Sequence, residues 1–248
     1  MSVTLEVQDH AARVVFSHPP VNALPVSVLR QLERRLRVAA AREEVKIIVL
    51  ASEGRTFCAG ASFDELLRLH TPEEAVEFFM GFARVILAMR DAPQPVIVRV
   101  QGKTVGGGTG IVAAGDFAVA PADAAFKLSE LSIGIGPYVI APPIIRKTGI
   151  AFFQQMSMQP WKWFTAFEAA KRGLLTHVTE NLKRADELID TIIQYYKDYD
   201  AEAVRRLKAE IWQDTRDWDR LLREQAAKSA ALLLRRETKA MLEKLRKR

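Results

Sequence analysis

Two stretches of the chain repeat one plan, about 50 residues apart. In each, a run of apolar and β-branched residues leads into a glycine-containing loop and then into a segment of helical character. The two stretches are KIIVLASEGRTFCAGASFDELL, which begins at Lys46, and PVIVRVQGKTVGGGTGIVAAG, which begins at Pro95. The repeat predicts an α/β core, with a ligand site where the glycine loops follow the strands.

The remaining sequence extends this core at both ends. Alternating apolar residues in VTLEVQ and RVVFSH predict an opening hairpin, and a helix is expected from about Ser27 to Glu44. Further strands are predicted at DFAVA and THVTE, and helices dominate from Ala151 onward. A helical pattern without proline marks the C-terminal end of the chain. We therefore divide the chain into a core of residues 1–200 and a C-terminal helical region of residues 201–248.

Composition narrows the class of protein. About half of the 248 residues are hydrophobic, which is enough to bury a full core. No uninterrupted apolar run approaches the roughly 20 residues that cross a bilayer, and no signal-peptide pattern is present, so we expect a soluble, cytoplasmic protein without membrane association. The single cysteine, Cys58, fits a reducing compartment. Neither it nor the four histidines show the spacing of metal ligands, so no metal site is expected.

The positive charge of the chain lies in its C-terminal region. Residues 201–248 hold 14 Lys and Arg against 8 Asp and Glu, a surplus equal to the +6 of the whole chain. Apolar residues recur there at spacings of three and four, a pattern that packs on its own protein or on a sister subunit. A solvated charged face is the favoured interpretation of the basic residues, and binding of nucleic acid or another polyanion is the alternative.

The glycine run at residues 106–108 resembles phosphate-binding loops only in part. A P-loop is excluded because Ile97 stands where GKT, at residues 102–104, would need its first glycine. GTGIVA, at residues 108–113, fits G-x-G-x-x-A, but the following helix is only about two turns long, which disfavours a dinucleotide site. A backbone donor site remains: unpaired N–H groups at a helix start can hold an oxygen that gains negative charge in a reaction. Close helix packing without a ligand is the alternative.

Three segments resemble, in order and spacing, signatures of the crotonase or enoyl-CoA hydratase/isomerase superfamily. They are FCAGASFDELL from Phe57, GGGTGIVAAGDFAVA from Gly106 and FKLSELSIGIGP from Phe126, and PPVNALP and AFEAAKRGLLTHVTE are similar to two further family segments. The resemblance implies an α/β fold, a crotonase-like spiral of ββα turns with a C-terminal helical region, assembled as a trimer or hexamer. We expect residues 201–248 to form the trimer interface, because their apolar stripe is too long to stay exposed.

The resemblance also implies a site. Acyl-CoA thioesters are the expected substrates, with no cofactor beyond the coenzyme A that the substrate carries. By motif position, the backbone N–H groups of Ala61 and Gly107 would form an oxyanion hole for a thioester enolate. The residues implied in holding the coenzyme A thioester are Ala23, Ala59, Gly60, Ser62, Phe63, Gly106 and Gly108.

The sequence differs from the double-acid hydratases of this superfamily at one position. Those enzymes carry a glutamate two residues after the third glycine, where this chain has Gly110, and another in the segment that here contains Glu130. Glu130 is therefore the expected single proton-transfer group, and a carboxylate that only stabilises a helix start is the alternative. Gly110 is expected to leave an apolar gap that suits a branched or bulkier acyl group.

These features favour an enoyl-CoA hydratase or lyase. Hydroxycinnamoyl-CoA hydratase-lyases resemble the chain in having one glutamate in this segment. GGGTGIVAAGD and the C-terminal helices resemble methylglutaconyl-CoA hydratases, which would imply leucine-degradation-type chemistry. An isomerase, decarboxylase or thioesterase of the same superfamily is the alternative among enzymes. A catalytically reduced member that binds RNA is the alternative outside them.

Further candidates adjoin these motifs. Asp64 and Glu65 follow the first glycine loop and are expected to be exposed, with the acyl pocket as the alternative. Tyr138 follows the Glu130 segment and would contact either substrate or core. Cys58 lacks a neighbouring base and is interpreted as a small buried residue. The four tryptophans are expected to bury area in the helical region or between subunits.

Overall fold

The computed structural model describes residues 2–246, which form twelve strands and eleven α-helices. The strands are β1 (Ser2–Gln8), β2 (Ala11–Ser17), β3 (Ala23–Leu24), β4 (Ile47–Ser52), β5 (Thr56–Cys58), β6 (Gly60–Ala61), β7 (Val96–Arg99), β8 (Lys103–Val105), β9 (Phe117–Pro121), β10 (Ala125–Lys127), β11 (Phe164–Thr165) and β12 (His177–Thr179). The α-helices are α1 (Val26–Ala40), α2 (Phe63–Arg68), α3 (Pro72–Asp91), α4 (Gly107–Ala114), α5 (Ala141–Thr148), α6 (Ile150–Met158), α7 (Ala166–Lys171), α8 (Leu182–Asp198), α9 (Ala201–Ile211), α10 (Trp218–Leu233) and α11 (Arg236–Arg246). Two short 3-10 helices cover Glu130–Ile133 and Gln213–Thr215.

Successive strands of the chain alternate between two sheets. The main sheet has the order β1-β2-β4-β7-β9-β12, and the second sheet has the order β11-β10-β8-β5. β1 and β2 form the predicted antiparallel hairpin, and every later neighbour in the main sheet is parallel. β4, β7 and β9 enter the main sheet, the next strand of each turn enters the second sheet, and a helix follows. These repeated turns build the spiral of ββα turns that the resemblance implied.

The main sheet is buried on both faces. All six residues of β4 are buried, as expected for a central parallel strand. On one face, apolar side chains of the sheet pack against α8, and on the other they join the main core of the molecule. The two apolar runs of the repeated plan are thus β4 and β7, neighbouring strands inside the main sheet. The glycine loops that follow them lie at the edge of this sheet.

The first helix is shorter than predicted. α1 ends at Ala40 rather than near Glu44, since the N–H of Arg42 bonds the carbonyl of Ala39 at 3.2 Å in a tighter turn. The chain then buries Val45 and enters β4. The burial of Val45 therefore ends α1 at Ala40, although helix-forming residues still follow in the sequence.

The C-terminal helices fold back onto the core of the same chain. α9 begins at Ala201, where the Asp200 side chain accepts a hydrogen bond from Ala203 N–H at 2.8 Å. α10 packs along α3, and α11 packs against α2 and the 3-10 helix that starts at Glu130. The stripe expected to need a partner subunit is buried here, in Trp218, Leu222, Ala226, Ala230 and Leu233 of α10. The reason given for a subunit interface therefore does not hold for α10, whereas Leu207 and Ile211 of α9 are more than half exposed, and a trimerisation role of residues 201–248 stays a prediction.

The tryptophans divide into two pairs. Trp212 and Trp218 are buried and pack edge to face with ring centroids 5.8 Å apart, which confirms the prediction for the helical region. Trp161 and Trp163 are exposed in the single chain, so burial between subunits stays a prediction for them. No α-helix within residues 2–246 has both the length and the apolar character needed to cross a membrane.

Candidate active site

The first glycine loop lines a cavity. β6 pairs with β3, and the N–H of Ser62 donates to the carbonyl of Leu24 at 3.0 Å. Because N–H groups alternate in direction along a strand, we expect the N–H of Ala61 to point away from β3, and Ala61 lines a cavity. Gly60 has a φ of +88°, and a Cβ there would lie 3.2 Å from the carbonyl oxygen of Val105. Glycine therefore lets this loop approach the second glycine loop.

The second glycine loop starts α4 with an unpaired donor. Gly106 takes a φ of +54° and donates its own N–H to the carbonyl of Lys127 at 2.9 Å. Gly107 is the first residue of α4, where a backbone N–H has no partner inside the helix. A Cβ at Gly107 would lie 2.2 Å from the Phe82 ring, so the ring packs directly on this backbone. Ala61 and Gly107 thus line the same cavity, and their N–H groups stay the predicted donors to an oxygen with partial negative charge.

The later glycines of α4 allow neighbouring side chains to pack closely against the helix. A Cβ at Gly108 would lie 2.6 Å from the Cβ of Cys58, and a Cβ at Gly110 would lie 2.3 Å from Cγ2 of Ile140. The expected gap at Gly110 is therefore wrong, because Ile140 already fills that space. Cys58 is buried, and burial raises the pKa of its thiol to about 12, in keeping with its interpretation as a small buried residue.

The carboxyl group of Glu130 lies against the glycine run. Glu130 begins a 3-10 helix, and its Oε2 is buried without a hydrogen-bond partner among residues 2–246. A Cβ at Gly106 would lie 2.6 Å from its Oε1. Burial raises the pKa of this carboxyl from its usual 4.5 to about 7, although the backbone N–H groups of Glu130 and Ser129 oppose the rise. A carboxyl group with a pKa near neutrality can both accept and donate a proton.

These groups line one cavity of about 520 Å³, a volume that includes its open mouth. α3 contributes Phe79 and Phe82, and much of the remaining wall comes from residues 133–140. The polar side chains in the lining are Ser129, Glu130, Tyr138 and Ser229. Within residues 2–246 no Lys, Arg or His lines this cavity. Its wall is therefore apolar apart from one carboxyl group and three hydroxyl groups.

A second cavity adjoins the first at the first glycine loop. The two share Ala59, Ala61 and Phe63, and the second is also lined by Ala23 and Ser62. The Oγ of Ser62 accepts a hydrogen bond from the N–H of Glu65 at 3.4 Å and so caps α2. Of the residues expected at the site from the sequence, Gly108 alone lines neither of these two cavities.

The acidic pair after the first glycine loop lies outside the cavity that Glu130 lines. Glu65 accepts a hydrogen bond from the N–H of Val26 at 2.8 Å, which satisfies the start of α1. Asp64 is exposed and lies 3.4 Å from Arg246. Tyr138 does line the cavity, with its ring folded over Gly136. The expectation of exposure is confirmed for Asp64, whereas Glu65 is half-buried as a helix cap.

The lining residues that sequence reasoning missed include three on α3 and α10. Phe79 and Phe82 lie on α3, whose sequence carries only the general signal of a buried helix. Ser229 lies in AAKSAALL, and its signal is a polar residue within an apolar stripe. Such a signal marks an unusual position in the sequence, but it does not show that Ser229 lines a cavity, which depends on how α10 packs.

Comparison with known proteins agrees with this geometry. The family model for enoyl-CoA hydratase/isomerase matches residues 6–242. An enoyl-CoA hydratase of Alternaria alternata is 31% identical over 145 residues, which cover 58% of this chain and 47% of that protein. A (7aS)-7a-methyl-1,5-dioxo-2,3,5,6,7,7a-hexahydro-1H-indene-carboxyl-CoA hydrolase of Mycobacterium tuberculosis is 34% identical over 121 residues, 49% of each chain. The matched part thus spans about half the length of these curated relatives.

A solved structure extends the likeness to the whole chain. The crystal structure of an enoyl-CoA hydratase from Mycobacterium avium superposes with a TM-score of 0.87 at 30% identity, and the match covers 99% of this chain and 96% of that one. The family match covers residues 6–242. The spiral of ββα turns and the architecture shared with the solved structure indicate the same family. The chain therefore belongs to the enoyl-CoA hydratase/isomerase family of the crotonase superfamily.

Proposed function

We propose that this chain is an acyl-CoA enzyme of the hydratase or lyase type with Glu130 as its only proton-transfer side chain. The observation that carries the proposal is the buried Glu130 carboxyl group, which has a pKa near 7 and lies against the glycine that starts α4. In this proposal the N–H groups of Ala61 and Gly107 bind the thioester oxygen. They stabilise the negative charge that this oxygen gains when an enolate forms.

One carboxylate is sufficient for hydration. Water adds to the β-carbon of an enoyl thioester while one of its protons passes to the ionised Glu130. The electrons of the double bond move onto the thioester oxygen, and Glu130 then returns the same proton to the α-carbon. The reverse sequence removes water. A pKa near 7 suits a group that must both take and give a proton at neutral pH.

The adjoining cavity is the proposed place of the coenzyme A moiety. It reaches the thioester site through the shared residues Ala59, Ala61 and Phe63. Ala23 and Ser62 line it farther from Glu130, beside Arg246 and His18, which offer hydrogen-bond donors at its edge. The thioester would then cross between the two glycine loops, with its acyl group in the cavity that Glu130 lines, here called the acyl cavity.

The wall of the acyl cavity favours an uncharged acyl group. The acyl group of a methylglutaconyl thioester ends in a free carboxylate. This carboxylate would be buried here without a cation, since no Lys, Arg or His of residues 2–246 lines the cavity. Burial of an unpaired charge costs several kcal/mol. We therefore propose that uncharged enoyl thioesters are better substrates than methylglutaconyl-CoA, and leucine-degradation-type chemistry is the less favoured subtype.

Isomerisation is the second candidate. Ile140 fills the space beside Gly110, so no second carboxylate can enter the cavity from α4 without displacing it. A shift of a double bond needs only one group, which takes a proton from one carbon and returns it to another. Glu130 alone satisfies that requirement, and no bound water is needed.

Product analysis with two thioesters tests the proposal. The native protein and Glu130→Gln would each be given an uncharged 2-enoyl-CoA and its 3-enoyl isomer, with products separated by chromatography. Formation of a 3-hydroxyacyl thioester supports hydration, and conversion of the 3-enoyl to the 2-enoyl thioester supports isomerisation. Free coenzyme A or a shortened acyl group would instead identify a thioesterase or a decarboxylase.

Glu130→Gln is expected to lose about 10²- to 10⁴-fold in kcat while thioester binding is retained, because the oxyanion donors are backbone groups. Full activity of Glu130→Gln would contradict the proposal. A native protein that acts on none of the thioesters would favour the catalytically reduced, RNA-binding alternative.

A further inference from the structure

Ser229 is a polar residue inside the buried apolar stripe of α10. Its neighbours in that stripe include Ala226, Ala230 and Leu233, and Ser229 itself is only 2% exposed. Buried serines in helices usually bond a carbonyl of the preceding turn or another polar group. No hydrogen bond joins the Ser229 hydroxyl to another of residues 2–246, and the residue lines the acyl cavity, where this hydroxyl is not fully enclosed by protein atoms. An unpaired hydroxyl in an apolar wall is costly unless a ligand satisfies it.

The position of Ser229 places it away from the reacting carbons. α3 packs against both α4 and α10, so one helix lies between the thioester-binding helix start and the helix that carries Ser229. Phe82 of α3 packs directly on Gly107. In the proposal made below, the substrate oxygen that reaches Ser229 belongs to the acyl group beyond its thioester end.

We propose that Ser229 is a specificity-determining residue that recognises a hydroxyl group on the distal part of the acyl chain. The inference rests on the proposed function and names its substrate class: thioesters of hydroxylated, uncharged acyl groups. A plain hydrocarbon chain leaves the Ser229 hydroxyl unpaired, and a charged substituent finds no cation in this wall. A hydroxyl group can both donate to and accept from serine, which makes it the fitting uncharged partner.

Matched pairs of thioesters test this inference. Each pair has the same chain length, and one member carries a hydroxyl group at successive positions beyond the reacting carbons. The variants are Ser229→Ala, which removes only the hydroxyl from a stripe already rich in alanine, and Ser157→Ala as the control. Ser157 lies on α6, is likewise buried, and has an unpaired Oγ, but it does not line the acyl cavity.

The native protein and Ser157→Ala are expected to prefer one hydroxylated member by about tenfold in kcat/KM, the equivalent of one hydrogen bond. Ser229→Ala should lose that preference, because its kcat/KM should fall about tenfold more for the hydroxylated member than for the plain thioester. No preference in the native protein at any hydroxyl position would overturn the inference. An equal loss on both members of a pair would also overturn it, since it would indicate a role in water positioning or packing.

Binding separates this inference from the proposed chemistry. Calorimetric titration of the same pairs into Glu130→Gln, and into Glu130→Gln with Ser229→Ala, measures recognition without turnover. If turnover fails for every thioester but the hydroxyl preference persists in binding, the proposed reaction is wrong and the role of Ser229 stands. If the preference is missing in binding, the role of Ser229 is wrong whatever the reaction.

Discussion

At the scale of single residues, Glu130 couples folding to pH. Its carboxyl has a pKa of about 7 in the folded state against a usual 4.5, so between these values the unfolded chain has lost a proton that the folded chain keeps. The unfolded state then binds fewer protons, and stability must fall as pH rises. We expect this group to lower the free energy of unfolding by at most about 3 kcal/mol between pH of about 4.5 and about 7.

Comparison with Glu130→Gln isolates this contribution. The amide cannot ionise, so the variant should gain stability relative to the native protein as pH rises through that range. Urea unfolding of both proteins at about pH 5 and about pH 8 measures the difference. Parallel pH profiles for the two proteins would show that the folded environment does not raise the pKa of Glu130.

Both the backbone conformation and the surroundings of Gly106 disfavour a side chain at this residue. Its φ of +54° disfavours any side chain, and a Cβ there would lie 2.6 Å from Oε1 of Glu130. Gly106→Ala should therefore both strain the backbone and displace the carboxyl group, with an expected loss of about 10²-fold in kcat/KM.

Gly54→Ala is the matched control, since Gly54 has a φ of +83° but nothing within 4 Å of its added Cβ. It should cost about 1–2 kcal/mol of stability and leave kcat/KM unchanged. Steady-state kinetics and thermal unfolding of the two variants make the comparison. Equal activities would mean that the contact with Glu130 has no part in catalysis.

At the scale of elements, α11 joins two parts of the site that are distant in sequence. The hydroxyl of Thr238 donates to the carbonyl of Gly134 at 3.3 Å, at the end of the 3-10 helix that begins with Glu130. The Nζ of Lys239 donates to the carbonyls of Leu66, Leu67 and Leu69 at 2.5, 3.3 and 2.7 Å, at the end of α2. α2 follows the Ala61 loop directly, so one helix braces both the proposed donor and the proposed acid.

Lys239→Met tests this brace. It keeps most of the side-chain length but removes the ammonium group, which leaves the last carbonyls of α2 without these donors. We expect a several-fold rise in KM for the thioester and a lower unfolding temperature, because α2 and the loop before it lose support. Lys244→Met, on the exposed face of the same helix, should change neither quantity. An unchanged KM in Lys239→Met would limit α11 to a purely structural role.

At the scale of the whole molecule, one segment holds four of the seven large apolar or aromatic side chains of residues 2–246 that are more than half exposed, and the other three are Tyr195, Leu207 and Ile211. Ile150, Met158, Trp161 and Phe167, from α6 to α7, are each more than half exposed. Exposed apolar clusters of this kind favour association between chains. This segment, rather than the α10 stripe, is now the better reason to expect a trimer.

Light scattering should therefore give the mass of three chains or of six. Trp161→Glu combined with Phe167→Glu should shift the protein toward smaller species, because charges would be buried without partners at the proposed interface. Tyr195→Glu, at an equally exposed aromatic residue on α8, is the control and should leave the mass unchanged. A native protein that stays monomeric at high concentration would contradict the prediction.

The sequence by itself determined the parts of this protein that depend on local order. Apolar runs identified the buried strands, the helical spacing identified the C-terminal helices, and the glycine run identified the start of α4, because each signal lies within a few consecutive residues. The motifs around Ala61, Gly107 and Glu130 likewise identified one cavity, although these residues come from three turns of the spiral.

Only the tertiary structure decided what fills the space around those residues. Ile140 closes the gap expected at Gly110, Glu65 caps α1, and Ser229 enters the cavity from α10. Each of these contacts joins residues that are far apart in the chain. Their positions follow from how helices and sheets pack at close-packed density, and no local pattern of residues encodes that arrangement.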